Sequence, residues 1–131
     1  MPAIDQRFWR AVAESANSDA TFIERTRHLE GCVIRLGIDD ASTFVEFHRG
    51  RASVLGASFM RGARISISGP SAEWGRLVSG TIHYMRAINP LHGHLKLEGD
   101  ALMANWAARG LCAFIALAVA AHNSAKDAEH A

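Results

Sequence analysis

The sequence has few of the features that mark specialised classes of protein. Its only two cysteines, Cys32 and Cys112, lie too far apart for a zinc motif and are too few for a disulfide framework. Lysine and arginine (14) nearly balance aspartate and glutamate (13), so the basic excess that holds a phosphate backbone is missing. We therefore expect a reducing, cytoplasmic compartment, with no metal, no cofactor and no nucleic-acid partner.

Long apolar runs are also missing. The N-terminal segment MPAIDQRFWR is charged where a secretory signal needs an uninterrupted apolar stretch. The longest apolar run, from Gly110 to Ala121, has about 12 residues, whereas a helix that spans a bilayer needs roughly 20. The sequence therefore predicts neither export nor a membrane span, and at most transient contact with a membrane.

What is present is the composition of one globular domain. Hydrophobic residues make up 49% of the 131 residues and charged residues 21%, which is close to the average for folded domains. A chain of this length has enough apolar surface to bury a core but is too short for two ordinary domains. We predict a single α+β domain over residues 1–131.

Changes in hydrophobic period predict the order of the elements, since a period near 3.6 indicates helix and a period of two indicates strand. The predicted elements are helices at 1–29, a strand meander at 32–68, helices at 71–89, a strand at 91–98, a helix at 100–122 and a frayed tail at 123–131. Ser71 and Asp100 are the predicted caps of the helices that follow them. The pattern predicts a five-stranded, mainly antiparallel, twisted sheet covered by helices.

The last predicted helix is apolar nearly all round. Its bulkiest side chains fall on one broad arc of a helical wheel: Met103, Trp106, Leu111, Phe114 and Leu117. The opposite side of its second half carries small residues such as Cys112 and Ala116. Such a helix is buried, covers a cavity or docks onto an apolar partner.

Two motifs in the second half of the chain resemble a known family. Residues 74–80 read WGRLVSG, and about ten residues later, residues 91–100 read LHGHLKLEGD. This order resembles the sterol carrier protein type 2-like lipid-binding domains. In that family a short helix ending in Ser-Gly precedes a linking helix, a Gly-Xaa-Leu-Xaa-Leu-Xaa-Gly-Asp strand and a C-terminal helix. The motif region covers residues 64–117.

The resemblance implies an apolar tunnel between the sheet and the last helix. It also implies non-catalytic binding, presentation or transfer of a sterol, a fatty acyl group or an isoprenoid. On this interpretation, the predicted wall of the tunnel consists of Phe44, Phe47, Met60, Met85, Ile88, Met103, Trp106, Phe114 and Leu117. Arg109 or His83 is predicted near a mouth, where it would meet a polar head group.

Other interpretations of the same residues stay open. Strand faces are assigned from alternation alone, so a shift of one residue would exchange Phe44 for Phe47. The apolar arc of the last helix is equally typical of an ordinary core. His92 and His94 share a predicted strand face with charged residues, which favours a solvated face over a metal site.

Two alternative functions follow from other residues. Glu46 and His48 share one strand face, and a carboxylate beside an imidazole could act as acid and base in a small steroid or lipid isomerase. Trp9 and the alanine-rich stretch 116–121 could instead dock a pathway enzyme or a second copy of the chain. No serine of the chain lies in a Gly-Xaa-Ser-Xaa-Gly elbow, which argues against an acyl-serine hydrolase.

Overall fold

A computed structural model of the chain describes residues 3–56, 63–91 and 93–130. Helices and strands mix along the chain, which confirms the predicted α+β class. In order they are α1 (Gln6–Ala16), α2 (Ala20–Thr26), β1 (Cys32–Ile38), β2 (Ala41–His48), β3 (Arg51–Leu55), β4 (Ala63–Gly69), α3 (Ser71–Val78), α4 (Tyr84–Ala87), β5 (Lys96–Gly99) and α5 (Ala101–His130).

The five strands form one mixed sheet in the order β3-β2-β1-β4-β5. The pairs β1–β2, β2–β3 and β4–β5 are antiparallel, but β1 and β4 are parallel. The expected simple meander is therefore wrong at one step, because β4 follows the edge strand β3 in sequence but pairs with β1. Both faces of β1 are largely buried, as is typical of a central strand beside a parallel neighbour.

Helix caps show where local sequence determines the structure and where it does not. Asp100 begins α5 as predicted, because its Oδ1 accepts a hydrogen bond from the Met103 N–H at 3.0 Å. Ser71 does not cap α3, since Pro70 occupies the cap position. The Ser71 N–H instead donates to Oδ1 of Asp39 at 3.1 Å, in the turn between β1 and β2. A residue distant in sequence thus satisfies this helix end.

Two boundaries differ from the sequence prediction. Helix α5 continues to His130, so the tail predicted to fray is helical up to that residue; it contains alanine, lysine and glutamate, which favour helix. Strand β5 begins at Lys96 rather than at residue 91. The preceding segment folds back onto α4 instead, because the Leu95 N–H donates to the Ala87 carbonyl at 3.1 Å.

Aromatic rings fill the core between the sheet, the N-terminal helices and the second half of α5. Trp9 stacks on Phe114 with ring centroids 5.9 Å apart. Phe47 lies 5.1 Å from Phe22 and 5.3 Å from Phe114 by the same measure. We call Trp9, Phe22, Phe47, Trp74 and Phe114 the aromatic core. These rings fill space between the sheet and α5, where the resemblance implies a tunnel. The tunnel stays a prediction.

Helix α5 holds this core against the sheet. Among the described residues it is the one helix that is long and apolar enough to cross a membrane, over Ala101–Ala125. Length and composition alone do not separate such a span from a core helix. Here Leu111, Phe114 and Ala118 are buried in the core, so α5 is a core helix of this fold.

Candidate functional site

An apolar pocket of about 310 Å³ lies between α4, β5 and the first half of α5. We call it the first pocket. It is lined by Tyr84, Met85, Ile88, Leu97, Glu98, Gly99, Ala101, Ala104, Asn105 and Ala108. Most of these side chains are aliphatic, and Glu98 is the one acidic residue among them. Such a lining suits an apolar molecule with a small polar group.

The glycines of the 91–100 motif bring the walls of this pocket together. A side chain at Gly93 would overlap the backbone carbonyl of Ala87, at the end of α4. Gly99 has a φ of +112°, and a side chain there would overlap the carbonyl of Arg64 on β4. Only glycine permits these close approaches. The motif thus packs the chain against α4 on one side and β4 on the other.

The last residue of the motif fixes the start of α5. Asp100 accepts a backbone hydrogen bond from Met103 and a second one from Arg64 Nη2 at 2.9 Å. These two contacts lower the pKa of the Asp100 carboxyl from its ordinary value. The carboxylate therefore stays charged and ties the first turn of α5, which forms the roof of the first pocket, to β4.

Small side chains on α5 leave the space that forms the pocket. Ala101, Ala104 and Ala108 recur at intervals of three and four residues and line it. On the other side, Met85 is 52% exposed and borders solvent. Because methionine is flexible and polarisable, it can adapt to ligands of different shape.

A second pocket of about 290 Å³ lies further along α5. Its lining is also mostly aliphatic: Leu77, Gly80, Ile82, His83, Tyr84, Cys112, Ile115, Ala116 and Val119. His83 is exposed at this pocket, and its Nδ1 accepts a hydrogen bond from the Met85 N–H at 3.1 Å. Tyr84 borders both pockets.

The two ionisable groups at the junction of the pockets are neutral. Burial, with a smaller contribution from Cys112, raises the pKa of Tyr84 well above its ordinary range. Burial also raises the pKa of the Cys112 thiol. At neutral pH both side chains therefore present uncharged surface, which suits an apolar ligand and offers neither a base nor a thiolate.

The predicted wall residues do not line one cavity. Met85 and Ile88 line the first pocket. Phe47 and Phe114 belong to the aromatic core, while Met103 and Leu117 are partly buried against that core and line neither pocket. Phe44 lies on the opposite face of β2 from Phe47 and is half-buried. Met60, like His92, lies outside the described residues.

The predicted orientation of Trp106 is wrong. Trp106 is 57% exposed, and together with Arg109 it borders a separate groove of about 550 Å³ beside α2. The cause is Gly110, where a side chain would lie 2.5 Å from Cγ2 of Thr26. This close approach of α5 to α2 turns Gly110 and Ala107 inward, and Trp106 consequently points outward. Of the two residues predicted for a mouth, His83 lines the second pocket and Arg109 borders this groove.

The pair suggested for acid–base chemistry lies away from both pockets. His48 is exposed, and its Nδ1 accepts a hydrogen bond from the Gly31 N–H at 2.9 Å. Glu46 is half-buried on the same strand, and neither residue lines the first or the second pocket. His48 thus has a structural partner. Over the described part of the chain, no cluster of three or more potential metal ligands is found.

Sequence reasoning missed the residues that form most of the two pockets. It looked for bulky side chains, whereas the α5 side of the pockets is made largely of alanines and Cys112. A signal was present, because small residues at helical spacing leave room for a groove just as large ones fill a core. Tyr84 could be recognised only from the structure, which shows it between the pockets.

Comparison with known proteins finds one family model that matches most of the chain. A family model described as the SCP-2 sterol transfer family matches residues 11–108, which are 98 of the 131 positions. No curated protein matches the chain in sequence.

Several solved structures share the fold at low sequence identity. A crystal structure of sterol carrier protein 2 is 14% identical, with a TM-score of 0.74 over 90% of this chain and 98% of that one. A candidate sterol carrier protein from Thermus thermophilus has the same identity and score over 92% and 90%. A UbiJ-SCP2 ubiquinone synthesis protein is 16% identical, with a TM-score of 0.55 over 93% and 97%.

Proposed function

Since this chain belongs to the SCP-2 sterol transfer family, whose members bind apolar lipids, we propose that it binds one lipid molecule non-covalently in the first pocket. The lipid would be a sterol, a fatty acyl compound or an isoprenoid. The protein would present it to a partner or transfer it within the cytoplasm. The observation that supports this proposal is the apolar lining of the pocket between α4, β5 and α5.

The size of the pocket is compatible with this role. Its volume of about 310 Å³ lies at the lower end of the range of roughly 300–1,000 Å³ for small-molecule sites. A ligand that buries on the order of 400 Å² of apolar surface would gain about 10 kcal/mol before the costs of association, at roughly 25 cal/mol per Å². After those costs, affinity near the micromolar range is expected.

The exposed wall of the pocket supports reversible exchange. Met85 is 52% exposed, whereas Tyr84 and Ala87 of the same short helix are buried. The flexible side chain of Met85 can therefore move at small cost while the rest of α4 stays in place. A lipid could therefore enter and leave here without disturbing the aromatic core.

A pocket-filling variant tests the proposal. Ala104 lines the first pocket, so Ala104→Phe would place a ring in the space proposed for the lipid. Ala120 is exposed on the same helix and borders neither pocket, which makes Ala120→Phe a matched control. A fluorescent fatty acid is titrated into both variants, and each melting temperature is recorded.

The expected result is that Ala104→Phe weakens binding of the fluorescent fatty acid at least tenfold while the control binds as the wild type does. Both variants should keep a cooperative thermal transition. Equal binding by a folded Ala104→Phe protein and its control would contradict the proposed location of the ligand.

A second candidate function is presentation of the lipid to a partner protein. Leu102 and Trp106 are 76% and 57% exposed on the half of α5 that also lines the first pocket. Exposed aromatic and aliphatic residues of this kind are typical of docking surfaces. The neighbour from ubiquinone synthesis shares this fold. If docking is the function, Trp106→Ala should slow delivery of lipid to an acceptor enzyme and leave its binding unchanged.

A further inference from the structure

The first and second pockets lie end to end along one face of α5. The first is lined on this helix by Ala101, Ala104, Asn105 and Ala108. The second is lined by Cys112, Ile115, Ala116 and Val119. They recur once per turn, singly or as the adjacent pairs 104/105 and 115/116, so all eight lie on one stripe of the helix. The two pockets therefore follow one another along this stripe, and we call them its two segments.

Tyr84 separates these segments. It borders both pockets, and it is 3% exposed, so its ring is enclosed rather than displayed to solvent. Along α5, the first pocket ends at Ala108 and the second begins at Cys112, and Tyr84 is the residue that the two linings share. The His83 side chain caps α4 and holds its first turn in place.

The length of each segment is short relative to a lipid chain. At 1.5 Å per residue, the α5 part of each pocket extends about 10 Å, and the two together extend about 27 Å. An acyl chain in a membrane spans about 15 Å, which is half of the roughly 30 Å hydrocarbon core. A full-length extended chain thus exceeds one segment and fits within both.

We propose that Tyr84 is the specificity-determining residue that limits the length of acyl chain the protein accepts, because its ring forms the end wall of the first pocket. This inference rests on the proposed function of that pocket. With the ring in place, a chain that enters beside Met85 ends at Tyr84. Removal of the ring joins the two pockets, and a longer chain can continue along α5 as far as Val119.

A chain-length series measures this limit directly. Saturated fatty acids from octanoate to octadecanoate compete with a bound fluorescent fatty acid for the wild type and for Tyr84→Ala. Each methylene that is buried should tighten binding about fourfold, which corresponds to about 0.8 kcal/mol. In the wild type we expect this gain to stop at a medium chain length. In Tyr84→Ala it should continue to longer chains.

Additional variants separate the role of the ring from effects on folding. Tyr84→Phe keeps the ring and should keep the limit of the wild type. Tyr84→Leu shortens the side chain but stays apolar, so it tests the limit if the alanine variant does not fold. Ala116 is exposed and lines the second pocket; Ala116→Trp added to Tyr84→Ala should restore the short limit by filling the space beyond.

The outcomes distinguish this inference from the function on which it rests. If the wild type and a folded Tyr84→Ala or Tyr84→Leu protein show the same dependence on chain length, the role of Tyr84 is wrong and lipid binding stands. A wild-type affinity that keeps rising up to octadecanoate would overturn it in the same way. If no fatty acid binds any of the proteins, the proposed function fails first.

Discussion

Gly93 lets the chain before β5 pack closely against α4 because it has no side chain. A β-carbon at this position would overlap the Ala87 carbonyl, whereas one at Gly75 in α3 would meet nothing within 4 Å. We therefore expect Gly93→Ala to lower the free energy of unfolding by about 1–3 kcal/mol through overpacking. Gly75→Ala should raise it by about 0.5–1 kcal/mol, since alanine is the better helix former.

Urea denaturation of the two glycine variants checks this pair. The same substitution is expected to change stability in opposite directions at the two positions, so a general effect of alanine on the entropy of the unfolded backbone cannot produce the result. If Gly93→Ala were as stable as the wild type, the close approach of residue 93 to α4 would be contradicted.

Trp106 and Phe114 are a second informative pair. Both are large aromatic residues of α5, yet Trp106 is 57% exposed and Phe114 is 1% exposed within the aromatic core. Phe114→Ala should cost about 3–5 kcal/mol of stability. Trp106→Ala should change stability by less than about 1 kcal/mol, as for other surface positions. Thermal unfolding monitored by circular dichroism measures both, and equal losses would contradict the orientation of α5.

At the scale of elements, the order of helices and strands along the chain could be predicted from the sequence. Which strands and helices contact one another could not. The alternating period of residues 32–38 corresponds to β1, Cys32–Ile38. The parallel pairing of β1 with β4 is a long-range choice that alternation does not encode. The strand predicted at 91–98 is wrong in its first half for a similar reason. A backbone hydrogen bond joins Leu95 to Ala87 of α4, and β5 pairs with the sheet only from Lys96 onward.

The pockets were harder to predict than the elements that form them. Met85 and Ile88 were identified because they are bulky and apolar, and both line the first pocket. The rotation of α5 depends on its contact with Thr26 at Gly110, and the helical wheel of α5 alone contains no information about that contact. Trp106 was consequently assigned to the buried face.

The cap of α5 gives a prediction for pH. Hydrogen bonds from Met103 and Arg64 lower the pKa of Asp100 below its ordinary 3.8. A carboxyl whose pKa is lower in the folded state stabilises the fold above the unfolded pKa and loses this effect as the pH falls through the folded value. Asp100→Ala should therefore lower the melting temperature at neutral pH, and the difference from the wild type should shrink in acid.

The measurement is a series of melting temperatures of both proteins from neutral pH to below 3.8. Arg64→Ala should show part of the same effect, because Arg64 supplies one of the two hydrogen bonds to the carboxylate. A difference that stays constant across the whole pH range would contradict the role of the ionised carboxylate.

At the scale of the whole molecule, different faces of α5 have different surroundings. One face packs against the aromatic core, where Phe114 is buried, whereas small residues on another face leave the first and second pockets. This division lets one helix provide both stability and a binding site. Substitutions in the aromatic core should therefore unfold the protein, and substitutions along the pocket stripe should change what it binds.

The assembly of the molecule is a separate prediction. If the exposed residues Leu102 and Trp106 pair two copies of the chain, light scattering should give twice the mass of 14.2 kDa, and Trp106→Ala should return the monomer. A mass of one chain at high protein concentration would favour a different partner for this surface.

Native mass spectrometry of the gently purified protein tests lipid binding most directly. We predict a species heavier than the 14.2 kDa chain by the mass of one lipid, which organic extraction releases and identifies, and which is absent from Ala104→Phe. A wild-type protein that has the mass of the bare chain, and still has it after incubation with lipid vesicles, would contradict lipid binding in the first pocket.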